Sequence, residues 1–181
     1  MVDEIFDNAK NRMSKALEHC FYEVSQVRTG RASTNILDNI KVDYYGTLSL
    51  LKTIAHISTP DSQLLLVQPF DPTCLELIEK AIIASDIGLS PNNDGNVIRL
   101  SVPALTDERR KELMKTVHQF AEEGKISVRN IRRDINDQLK NEKDSGLSED
   151  NLKRSLDNVQ ELTDDYIKKI DNMVLEKEKD I

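Results

Sequence analysis

Lys125-Ile126-Ser127-Val128-Arg129-Asn130-Ile131-Arg132-Arg133-Asp134 holds two patterns at once and no helix breaker. Val128 and Ile131, continued by Ile135, step by three and four residues, so they share one strip of a helix. Lys125, Arg129, Arg132 and Arg133 step the same way along a second strip. At roughly 100° per residue the strips lie about a third of a turn apart. Such a helix can bury its apolar strip and turn the basic one outward. Four cations held in a row on a stiff rod suit a phosphate backbone.

Outward from this stretch, Leu113, Val117, Phe120 and Gly124 extend the apolar strip upstream, and Leu139 extends it downstream. The start falls at Leu105-Thr106-Asp107-Glu108-Arg109. Thr106 is the expected N-cap, Pro103 lies just before it, and two acids follow in the first turn. The predicted helix spans roughly 35 residues and so is about 50 Å long. Gly146 and Ser148-Glu149-Asp150-Asn151 then mark a turn and a new N-cap. Leu152, Leu156, Val159, Leu162, Tyr166, Ile170 and Met173 continue as a last helix. At the other end of the chain, Phe6, Ala9, Met13, Ala16, Cys20, Val24 and Val27 predict a first helix, with Gly30 as its C-terminal cap. Each helix has one apolar strip to bury, and three of them make a three-helix bundle.

All five prolines and four of the six glycines lie between residues 30 and 105. Proline breaks helices and glycine weakens them, so this region is an insert in the helical part. The expected division is 1–29 plus 106–181 for a discontinuous bundle, and 30–105 for an inserted α/β domain. The insert's two ends must then lie close together. Ile40 to Tyr45 alternates and ends at Gly46, a strand and a turn. Ile54–Ser58 and Leu64–Val67 are further apolar runs. Asp71-Pro72 opens a short helix, with Asp71 as N-cap, and Leu75, Ile78, Ile82 and Ile83 as its buried strip. Ser90 to Gly95 is turn chemistry, and Val97–Val102 a closing strand.

The chain carries a net charge of -7, which alone speaks against a polyanionic partner. Its distribution matters more. Residues 106–140 hold nine Lys/Arg against seven Asp/Glu and form the one net-positive segment. Within it, Asp134 and Asp137 stand in reach of Arg133, and Glu122 in reach of Lys125. Arg132 has Val128, Arg129, Ile135 and Asn136 three and four positions away, so no acid on its own helix pairs with it. It is the expected free guanidinium.

No apolar run approaches the ~20 residues that span a bilayer, and the N-terminus has no apolar leader core. A cytoplasmic protein without a membrane partner is expected. Cys20 and Cys74 lack metal-ligand spacing, and so do His19, His56 and His118. Asn92-Asn93-Asp94-Gly95-Asn96 suggests a calcium loop but lacks the closing glutamate, since the twelfth position is Pro103. No phosphate-binding glycine loop is present. The expectation is no metal, no cofactor, no catalytic residue and no enzyme.

Arg28-Thr29-Gly30-Arg31-Ala32-Ser33, Tyr44-Tyr45-Gly46, Ala84-Ser85-Asp86-Ile87-Gly88-Leu89, Leu105 to Lys111, and Arg129-Asn130-Ile131-Arg132-Arg133-Asp134 follow one another in order. Together they resemble the ribosome recycling factor family across essentially the whole chain. Ser90 before Pro91 departs from the family's usual asparagine, at a surface turn. The resemblance implies an α+β protein: an elongated three-helix bundle with an inserted β/α/β sandwich, L-shaped overall. It implies a hinge at Gly30-Arg31 and Pro103-Ala104-Leu105. It implies a monomer that binds the post-termination ribosome and, with elongation factor G and GTP, separates the subunits. Carried onto this sequence, Arg132 and Arg129 would contact large-subunit ribosomal RNA first, supported by Arg133, Lys125, Arg110, Arg28 and Arg31. The competing expectation is a helical scaffold that binds another protein, with its arginine strip merely solvated.

Overall fold

The computed structural model describes residues 1–181. Five helices run Val2–Ser25 (α1), Leu51–Ile54 (α2), Leu75–Ala84 (α3), Asp107–Asp144 (α4) and Glu149–Asp180 (α5). Six strands run Lys41–Tyr44 (β1), Thr47–Leu50 (β2), Ala55–Asp61 (β3), Leu64–Pro69 (β4), Pro91–Asn93 (β5) and Ile98–Ser101 (β6). The chain divides into two compact units, Met1–Thr29 with Asp107–Ile181, and Gly30–Thr106.

The first unit is a bundle of α1, α4 and α5. α4 has 38 residues, about 57 Å at 1.5 Å per residue. It buries Leu113, Val117, Ala121, Gly124, Val128, Ile131, Ile135 and Leu139. α1 contributes Ala9, Met13, Cys20 and Val24, and α5 contributes Val159, Thr163, Tyr166, Ile170 and Val174. Each large aliphatic side chain so buried is worth about 1.5–3 kcal/mol. Thr163 is the one buried polar residue, and its hydroxyl donates to the Val159 carbonyl at 2.8 Å within its own helix.

Gly124 explains how closely the helices approach. A Cβ built there would lie 2.7 Å from Cys20 Sγ, 3.0 Å from Cys20 Cβ and 3.4 Å from Ile170 Cδ1. A glycine inside a helix costs about 1 kcal/mol relative to alanine; here it lets α1 and α5 converge on α4. α1 and α4 run antiparallel, with Cys20 opposite Gly124 and Arg12 bound to Asp134 at 2.7 Å. Between α4 and α5, Gly146 takes φ +112, and Ser148 caps the new helix by accepting from the Asn151 N–H at 3.3 Å.

The second unit pairs β1 with β2 as a hairpin and forms a four-stranded antiparallel sheet in the order β3-β4-β6-β5. Leu65, Val67, Ile98 and Leu100 from the sheet meet Leu75, Ile78 and Ile82 of α3 in its core, with Leu37, Val42 and Leu51 closing it. Asp71 caps the entry to α3, accepting from the Thr73 N–H at 3.0 Å. Pro72 follows it in a single turn of 3₁₀ helix.

Three expectations are corrected. α1 ends at Ser25, where Gln26 donates to the Tyr22 carbonyl, so Gly30 is not its cap. Gly30 instead takes φ +70 and packs on Leu105: a Cβ there would sit 2.7 Å from Leu105 Cγ. Ile83 is exposed, because Leu75, Ile78 and Ile82 share a face of α3 and the next residue is about 100° away. Pro91–Asn93 is an edge strand rather than only a turn. It pairs on one side alone, which a proline tolerates.

Candidate nucleic-acid interface

Lys125, Arg129, Arg132 and Arg133 lie within about two turns of α4, where continuous helix and a buried apolar strip fix their directions. Arg132 and Lys125 stand nearest the core side and are half-buried, as is Arg129, whereas Arg133 is exposed. The strip is therefore a shoulder beside α5 that turns outward at Arg133.

Its ion pairs differ from those expected along one helix. Asp134 is taken by Arg12 of α1 at 2.7 Å. Glu122 pairs with Arg129 at 3.2 Å, two turns along α4. Lys125 reaches across to Asp171 of α5. Arg132 is not free: its Nη1 donates to Gln160 Oε1 of α5 at 3.2 Å. That partner is a neutral amide, so the guanidinium charge is not cancelled by contact. The Gln160 Nε2 in turn donates to Asp164 Oδ1 at 2.9 Å. The expectation that Arg132 is free fails, because a partner comes from a neighbouring helix. A search for charges on one helix could not find it, but the four-residue spacing of Gln160 and Asp164 on α5 is a readable signal.

The remaining basic residues are elsewhere. Arg110 lies 15 positions upstream of Lys125, about 22 Å along the axis, and approaches Asp107 at 3.8 Å. The antiparallel register carries the end of α1 toward the first turns of α4, so exposed Arg28 lies at Arg110's end of the bundle. Arg31 belongs to the other unit.

The groups considered for chemistry have other uses. Cys20 is buried, and burial pushes its thiol above the usual range, with Glu23 and Glu123 adding to the effect. Its Sγ donates to the Phe120 carbonyl at 3.4 Å. Cys74 is buried in the insert's core. His19 faces Glu23 and His118 faces Glu178. The Asp94 carboxylate closes its own turn by accepting from the Asn96 and Val97 N–H groups at 3.0 and 2.9 Å. No group of three or more His, Cys, Asp or Glu converges. No helix is long and apolar enough to cross a membrane.

The family model for ribosome recycling factor matches residues 22–181. The ribosome-recycling factor of Halothermothrix orenii is 51% identical over 182 residues, covering 100% of this chain and 98% of the relative. That of a Synechococcus strain is 55% identical over 170 residues, covering 93% of each. A solution structure of the ribosome recycling factor superposes with a TM-score of 0.81 at 40% identity, covering 98% of this chain and 95% of that one. A T. thermophilus ribosome recycling factor, in models with E. coli elongation factor G bound to the E. coli post-termination complex, gives a TM-score of 0.70 at 42% identity, covering 100% and 98%. With the bundle, the inserted sheet and this likeness over its whole length, the chain belongs to the ribosome recycling factor family.

Proposed function

We propose that this protein binds the ribosome left after termination and, with elongation factor G and GTP, separates the subunits for a new round of translation. The bundle docks on large-subunit ribosomal RNA through α4, with Arg132 and Arg129 leading and Arg133, Lys125, Arg110, Arg28 and Arg31 in support. The relative described with elongation factor G on the post-termination complex is 42% identical over the whole of this chain, which supports the same partners here. GTP chemistry then belongs to the elongation factor, and this chain works in the cytoplasm as a monomeric binding factor rather than an enzyme. Gly30-Arg31 and Pro103-Ala104-Leu105, where the chain passes between its two units, serve as the hinge; glycine's wide conformational range supports this.

The observation that carries the RNA reading is Arg132, a half-buried residue whose guanidinium is held at the surface by a neutral amide. An arginine fork that keeps its charge can grip a phosphate bidentately. The test is cosedimentation with vacant ribosomes across a salt series. Binding should fall linearly on a log–log plot. Arg132→Ala should weaken it about tenfold, with a slope shallower by about one phosphate contact. Arg132→Lys, which keeps the charge and loses the fork, should fall between. Sedimentation of the alanine variant like the parent at every salt removes Arg132 from the interface. Binding insensitive to salt favours the protein-scaffold reading.

A further inference from the structure

Four basic residues near the middle of the bundle are held in two ways. Arg12, Lys125 and Arg129 each face a carboxylate, on Asp134, Asp171 and Glu122 respectively. Arg132 alone among them is held by an amide. Chemistry dictates which way that amide points. A guanidinium can only donate and a carboxylate can only accept, whereas a glutamine side chain does both. Gln160 therefore turns its Oε1 to Arg132 at 3.2 Å and its Nε2 to Asp164 at 2.9 Å. Gln160 and Asp164 are four residues apart on α5, so the carboxylate backs the amide from one turn further along. Glutamate at 160 would be repelled by Asp164 and would cancel the Arg132 charge. Lysine would satisfy Asp164 and repel Arg132. Only a neutral donor–acceptor of this length meets both neighbours.

We propose that Gln160, braced by Asp164, is a positioning residue for Arg132. It restrains the guanidinium toward an RNA phosphate and leaves its charge uncompensated. The inference rests on the RNA-docking reading of α4 given above. Ordering a long side chain before binding lowers what must be ordered on binding. Keeping the partner neutral preserves the attraction that a carboxylate would spend on an internal pair.

The experiment measures ribosome binding across a salt series for the full chain and its Gln160→Ala, Gln160→Glu, Arg132→Ala and Gln160→Ala/Arg132→Ala variants. Urea unfolding of each checks that the bundle is intact; Gln160 is exposed, so it should be. Gln160→Ala should weaken binding about threefold with an unchanged salt slope, because the charge remains and only its restraint is lost. Gln160→Glu should weaken it about tenfold and lower the slope by about 0.7–0.9, one phosphate contact, as Arg132→Ala does. In the Arg132→Ala background, Gln160→Ala should have no further effect. Parental affinity for Gln160→Ala beside an impaired Arg132→Ala overturns the positioning role alone. An equal loss from Gln160→Ala with or without Arg132 overturns it too, since the glutamine would then act by itself. Parental binding by Arg132→Ala overturns the docking reading, and the positioning role with it.

Discussion

Gly124 sets how near α1 and α5 come to α4, and its replacement has a sign opposite to helix propensity. Alanine is the better helix former by about 1 kcal/mol. Its methyl would nevertheless meet Cys20 Sγ at 2.7 Å and Cys20 Cβ at 3.0 Å. Gly124→Ala is expected to destabilise the bundle by about 1–3 kcal/mol, the usual range for overpacking. Cys20→Ala removes the nearer atom and leaves the Cβ, so the double variant should recover part of that loss. A urea-unfolding cycle measures the coupling, and a stabilised Gly124→Ala would show that the helices are farther apart. Period alone placed Gly124 on the buried strip, but no count along one helix says which atom faces it. The same boundary separates what was readable of the basic strip from what was not. The spacing of Lys125, Arg129, Arg132 and Arg133 was visible, while Asp134, Asp171 and Gln160 found their partners across helices.

Short elements of the insert depend on single caps. The Asp71 carboxylate accepts from the Thr73 hydroxyl at 2.8 Å, from the Thr73 N–H at 3.0 Å and from the Tyr45 hydroxyl at 3.5 Å. These bonds, the Thr73 hydroxyl first, hold its carboxyl below the usual range. Asp94 is lowered likewise, mainly by the Val97 and Asn96 N–H groups. A depressed carboxylate pKa favours the folded state above the unfolded value, and that contribution is lost as pH falls through the folded one. The Gly30–Thr106 unit should therefore lose stability below about pH 4. Asp71→Asn with Asp94→Asn, which remove the titration, should flatten the fall. Thermal melts between pH 6 and pH 2.5 check this, and an equally steep fall in the double variant would point to other groups. Asp71-Pro72 was legible because cap and first-turn proline are local chemistry. β5 was not, since three residues of turn-like composition become a strand only by pairing with β6. Ile83 shows the limit of reading a short helix: an apolar residue beside a buried one leaves the face within a single step.

Across the whole chain, the confinement of proline to residues 30–105 was the plainest signal, because it reflects backbone chemistry rather than packing. α4 begins at Asp107, which leaves Thr106 at the N-cap position expected for it, although the boundary between the two compact units falls after Thr106. Gly30 carries the largest consequence at this scale. Its φ of +70 and its contact with Leu105 leave no room for a side chain. On the hinge proposed above, Gly30→Ala should narrow the distance distribution between one dye on each unit; an unchanged distribution would overturn the hinge role proposed for Gly30. The same contact bears on how the chain reaches its native state. α1 can meet α4 only by closing the chain over the whole insert, and the entropy lost in closing a loop grows with its length. Once the insert has formed, Gly30 and Leu105 touch, and the long tether behaves as a short one. We therefore expect the insert to fold first and to speed the assembly of the bundle, so that pulse-labelling hydrogen exchange protects β4 and β6 before α1. During synthesis the order would be enforced by time as well: the insert leaves the ribosome before α4 does, and α1 waits beside a finished clasp for the partners that complete it.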